Sequence, residues 1–184
     1  KVGEASAFVV NDGRFIAVGG EELLGEYSGR VLDLQGLPIY PGLIDSHCHF
    51  MSLGLSLQQV DLKGTQSFEE VVDRVKNFVK SKNLNAVMGR GWDQNDWEDQ
   101  SLPNKSVLDS LFPDIPVALR RIDGHALLVN QKALDLAGID GTTEVAGGAV
   151  VKEKGKLTGV LVDTPMKLVN AILPKPSKEK KIKA

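Results

Sequence analysis

The stretch SFEEVVDRVKNFVKS, residues 67 to 81, limits the fold more than any other. Its apolar residues fall at 68, 71, 72, 75, 78 and 79, the period of a helix that buries one face. Ser67 and Glu70 stand at the spacing of a capping box, which fixes the start of that helix. On both sides the period shortens. NAVMGRGWD reads as a strand and turn, NKSVLDSLF as a short helix and PVALRRID as a strand entering a loop. NQKALDLAGI reads as a helix stopped by Gly138, with glycine free to adopt the left-handed cap. GGAVVKEKGKLTGVLVD is expected to form a hairpin about Lys154-Gly155. TPMKLVNAIL is expected to be a helix with Thr164 as N-cap and Pro165 at its first position. Strands alternating with helices predict an α/β organisation. Ahead of it, residues 1 to 40 read as short β structure: ASAFVV and RFIAVGG around an Asn11-Asp12-Gly13 turn, then RVLDLQG.

The chain has 184 residues, 22 basic and 24 acidic, for a net charge of −2. That balance argues against a nucleic-acid surface or an anionic membrane and leaves a small molecule or another protein as partner. No apolar run approaches the length of a membrane span. A single cysteine, Cys48, excludes an internal disulfide framework and a four-cysteine zinc site. It permits a reducing interior, and cytoplasmic placement is the expectation. The first residue is not Met, so the N-terminus reads as missing, and Ser177 reads either as the cap of a helix cut short at Ala184 or as part of a solvated basic tail.

LPIYPGLID suits a strand entered through a kink at Pro41, and SHCHF follows it. In a strand His47 and His49 would share one face, where two neutral imidazoles can converge on a divalent ion. Cys48 would pack behind the strand. The spacing alone also admits two rings that merely hydrogen-bond backbone carbonyls.

LDLQGLPIYPGLIDSHCHF resembles the start of the amidohydrolase superfamily, which runs a small β segment into Pro-Gly-apolar-apolar-Asp-x-His-x-His. GRGWDQNDW, RRIDGHALLVNQKALDLAGI and GGAVVKEKGKLTGVLVD resemble its amidohydrolase 3-like branch. The resemblance implies a metal-dependent (β/α)8 TIM-like barrel with an attached β-sandwich, and a His-x-His at the end of the first barrel strand. On that pattern residues 1–40 are part of the sandwich and 41–59 the first barrel strand. Residues 60–165 are then an inserted α/β unit, and 166–184 a helix returning to a barrel that is incomplete in this chain.

The resemblance implies that His47 and His49 ligate one or two divalent metal ions, zinc being the expected identity, with Asp163 a candidate further ligand or else a helix cap. A metal-activated water would hydrolyse non-peptide C–N bonds of the amide type. The catalytic acid/base is expected beyond Ala184. Trp92 and Asp93 could wall a substrate pocket, or anchor the loop on the core and cap its turn. His125 could contact substrate or be a structural residue. Two other readings stay open: a truncated, non-catalytic binding module, and a deaminase of the same superfamily. The expected partners are a small-molecule substrate and either a second copy or the missing part of the barrel, with no nucleic acid and no membrane.

Overall fold

The computed structural model describes residues 4–40, 42–80, 82 and 84–183. The chain divides after Ser46 into two compact units.

The first unit holds an antiparallel hairpin, β1 (Ala7–Asn11) and β2 (Arg14–Gly19), and a short helix, α1 (Leu23–Glu26). The hairpin turns at Asp12-Gly13, as its sequence predicts. Two expected strands do not form. Residues 30–36, and residues 42–49 leading through the histidine pair, are non-regular chain. A strand persists only where its peptide groups meet a ladder partner and its side chains find cover. Here Leu43 and Ile44 are 97% and 93% exposed. Pro41, the expected kink, lies outside the described residues.

The second unit begins with α2 (Phe50–Ser56), β3 (Val60–Asp61), α3 (Phe68–Lys80), β4 (Val87–Trp92) and α4 (Ser106–Leu111). β5 (Val117–Arg121), β6 (Ala126–Val129), α5 (Gln131–Ala137), β7 (Gly148–Glu153), β8 (Lys156–Asp163), α6 (Met166–Ile172) and α7 (Lys178–Ile182) follow. Its strands form one mixed sheet in the order β3-β4-β5-β6-β8-β7. β3, β4 and β5 run parallel, and the remaining pairs are antiparallel.

The sheet is covered on both faces because β5 alternates its targets. Val117 and Leu119 pack with Val71 and Val75 of α3 and Leu108 of α4. Ala118 packs on the other side with Ala133 and Leu134 of α5 and Val169 of α6. α3 is held at its start as the capping box requires. Ser67 Oγ accepts from the Glu70 amide at 3.2 Å, although the Glu70 carboxylate accepts from the Gln66 amide at 2.8 Å rather than from that of Ser67. α5 ends at Gly138 in the left-handed conformation, φ 66°. α6 starts one residue later than its sequence suggests: Pro165 is the N-cap, and the Thr164 hydroxyl donates to the Gly147 carbonyl at 2.7 Å. Among the described residues no helix is long and apolar enough to cross a membrane.

Candidate functional site

Ser46 and His47 form a bend, and His49 is the residue from which α2 departs, with φ −96° and ψ 52°. This backbone differs from the expected strand, yet it brings the rings together: their centroids lie 5.3 Å apart, edge to face at 83°. With no strand to direct it inward, Cys48 is exposed. Two imidazoles at this separation suit a shared divalent ion in donor type. Among the described residues, however, no group of three or more His, Cys, Asp or Glu side chains gathers to complete a ligand set. The pair therefore fits a metal as two donors of a site, and Asp163 does not join them.

Asp163 meets His125 instead. β6 and β8 are antiparallel with Ala126 opposite Val162, and continuing that register by one residue sets His125 beside Asp163. The Asp163 amide donates to the His125 carbonyl at 3.0 Å, and Asp163 Oδ1 lies 2.8 Å from His125 Nδ1. Asp163 sits at φ 56°, a left-handed conformation that aspartate tolerates better than most residues. Where the carboxylate accepts from Nδ1–H, the neutral ring keeps its lone pair on Nε2.

The loop between β5 and β6 is shaped by its own charges. Arg121 Nε and Nη2 donate to the two Asp123 oxygens at 3.0 and 2.7 Å, and Asp123 Oδ1 also accepts from the His125 amide at 3.0 Å. The Arg121 guanidinium bonded to Asp123 draws that carboxyl down to about 2. Asp123 raises the Arg121 pKa in turn, with Asp93 and Asp163 adding smaller attractions. Asp93 is near because Trp92 pairs in register with Arg121. Asp93, Arg121, Asp123, His125 and Asp163 thus form one polar cluster beside the ends of β4, β5 and β8. Arg121 and Asp123 are members that motif reading missed. The charged residues at 121, 123 and 125, alternating at a strand's end, were the available signal.

The His125 pKa is raised, first by the hydrogen bond to Asp163 and then by the charges of Asp163 and Asp123. The pair's contribution to folding is therefore fully present below the ordinary imidazole value and is lost as pH rises through the raised one. In an NMR titration His125 is expected to titrate above the ordinary imidazole value, and Asp163→Asn to lower its midpoint. An unchanged midpoint would remove Asp163 as the cause.

Trp92 is buried, and its indole N–H donates to the Leu119 carbonyl at 2.8 Å. Trp97, also buried, donates to the Thr65 carbonyl at 3.0 Å, and the two rings lie 6.1 Å apart. Asp93 accepts from the Asn95 amide at 3.0 Å and caps the turn at Gln94–Asp96. The two indoles thus anchor the loop on the core while Asp93 caps its turn.

The second unit is a mixed α/β sheet with helices on both faces and titratable groups collected at its strand ends. Residues 30–184 match the model of the Amidohydrolase family, and the chain belongs to that family. Protein LONG AFTER FAR-RED 3 of Arabidopsis thaliana is 37% identical over 171 residues, covering 90% of this chain and 29% of that protein. The N-substituted formamide deformylase of Arthrobacter pascens is 30% identical over 175 residues, covering 91% of this chain and 32% of that enzyme. An uncharacterized metal-dependent hydrolase from Pyrococcus furiosus superposes with a TM-score of 0.55 at 28% identity, over 96% of this chain and 35% of that one. The chain thus spans about a third of the length of these relatives.

Proposed function

We propose that this chain is the N-terminal part of a metal-dependent amidohydrolase acting on non-peptide C–N bonds. The observation that carries the reading is the convergence of the His47 and His49 rings; family membership and the metal-dependent structural relative support it. His47 and His49 would hold the ion, with zinc the expected identity because two imidazoles suit it. When bound, such an ion supplies Lewis acidity that polarises a carbonyl and acidifies water. His125 would meet the substrate carbonyl by donating Nε2–H as the imidazolium that Asp163 favours, its ring oriented by the Nδ1 bond to that carboxylate. Trp92 and Asp93 would act from behind, holding the 92–97 loop in place. The formamide named for the Arthrobacter relative makes N-formyl amines the first substrates to assay.

This reading keeps residues 1–40 as part of a sandwich, 41–59 as the first barrel strand, 60–165 as an inserted unit and 166–184 as the return to the barrel. It assigns 42–46 to a strand that pairs once a barrel or a second chain supplies a neighbour, which accounts for the exposure of Leu43 and Ile44. A second reading, a folded binding module without catalysis, draws on the lack of a third ligand beside the pair among the described residues. This chain alone is expected to be inactive, so elemental analysis and an N-formyl amine assay on the full-length protein that contains it test both. The proposed function expects zinc bound in stoichiometric amount and lost, together with hydrolysis, in a His47→Ala/His49→Ala variant. Zinc and activity that survive in the variant would overturn it, and zinc without hydrolysis would favour the module.

A further inference from the structure

The parallel register of β4 and β5 sets Arg90 beside Arg120. Register partners in a parallel pair project from the same face of a sheet, so the two guanidinium groups lie on one side. That is the side of Ala118 and Leu127, and there Arg90 and Arg120 line a cavity of about 300 Å³. Their bonds go to neutral acceptors. Arg120 donates to Asn170 Oδ1 at 2.9 Å and to the Gly124 carbonyl at 3.3 Å, and Arg90 donates to the Ile122 carbonyl at 3.2 Å. Among the described residues neither arginine forms an ion pair, and no Asp or Glu lines the cavity, whereas Lys175 adds a third cation.

Like charges placed side by side across a strand pair repel. Arg120 is also partly buried, and burial together with the charge of Arg90 lowers its pKa. A fold that holds two guanidinium groups in register without a carboxylate presents a ready site for an anion. The rest of the lining narrows the class. Met88, Leu127, Leu173 and Pro174 give apolar walls, and Ser52 and Ser56 add hydroxyls. A hydrated inorganic ion gains nothing from such walls, whereas a carboxylate on a hydrocarbon body uses both surfaces.

We infer that this cavity binds a small organic acid, its carboxylate spanning Arg90 and Arg120 and its hydrocarbon portion against Met88 and Leu127. The site is independent of the proposed metal pair, since none of His47, His49, His125 or Asp163 lines the cavity.

Calorimetric titration of the protein with benzoate, benzamide and inorganic phosphate tests it. Benzoate should bind, neutral benzamide should not, and Arg90→Gln and Arg120→Gln should each weaken benzoate by about tenfold or more. Arg120→Gln also loses its bond to Asn170 and could unfold. Arg90 is exposed and bonded to a single carbonyl, so Arg90→Gln carries the test by itself. Benzoate should also shift the Met88 and Leu127 methyl resonances of the unaltered protein. Benzoate binding no tighter than benzamide, benzoate affinity unchanged in Arg90→Gln, or unmoved methyl resonances would each overturn the inference. Phosphate binding tighter than benzoate and lost in Arg90→Gln would replace the organic acid with a phosphate ligand.

Discussion

Asn130→Ala is expected to destabilise the second unit by about 4 kcal/mol, since it strands several buried hydrogen-bonding groups at once. Asn130 is fully buried, just before α5. Its Oδ1 accepts from the Val117 amide at 2.9 Å and from the Ala133 amide at 3.1 Å. Its Nδ2 donates to the carbonyls of Phe112 at 2.8 Å and Ile115 at 2.9 Å. One side chain therefore caps a helix, starts β5 and closes the turn after α4. Helix-cap loss alone typically costs about 1 kcal/mol; the other three partners account for the remainder. Asn130→Asp would keep both accepted bonds but set a carboxylate against two carbonyl oxygens, so it should not rescue. Urea unfolding followed by circular dichroism gives the comparison, and a midpoint for Asn130→Ala close to that of the parent would mean that these groups find other partners.

Gly159→Ala should cost about 3 kcal/mol or more, because it combines a strained backbone with a steric collision. Gly159 lies in β8 at φ 88°, and an added Cβ would fall 2.4 Å from the Val129 carbonyl oxygen and 2.6 Å from Lys105 Cβ. The β7–β8 register slips beside it, between Val150 and Lys152, as at a β-bulge. The approach is fixed from both sides, since the Lys105 amide donates to the Thr158 carbonyl at 2.7 Å. Gly138→Ala is the control: its φ is 66° but the space around it is open, so only the left-handed backbone penalty of about 1–2 kcal/mol remains. Thermal melts of the two variants should separate clearly, and equal losses would show that the collision at Gly159 relaxes away.

Elements that declare their own ends were legible in the sequence. α3 has its Ser67 cap, α5 its Gly138 stop and the β7–β8 hairpin its Lys154-Gly155 turn. β6 was not, because ALLV is apolar at every position and buried throughout, which leaves no alternation to read. The difference at 30–36 and 42–49 has the opposite origin: the composition suits strands, but pairing is a tertiary property. The histidine pair was visible as a motif, and the rings do converge, though through a bend rather than a strand. The His125–Asp163 contact spans 38 positions and comes from β6 lying against β8, which no local pattern reveals. Arg90 and Arg120 are likewise neighbours only through register.

The order β3-β4-β5-β6-β8-β7 divides the cost of assembling the sheet unevenly. The β5–β6 and β7–β8 pairs close over short turns, so little chain entropy is lost before their ladders form. The parallel pairs β3–β4 and β4–β5 must each close around a helix-bearing crossover, which makes them the slower contacts to establish. The late-closing half also holds Arg90 and the loop of Trp92 and Trp97. The β6–β8 ladder likewise closes around α5 and β7, so the His125–Asp163 contact, 38 positions apart, belongs with the arginine pair among the slower contacts.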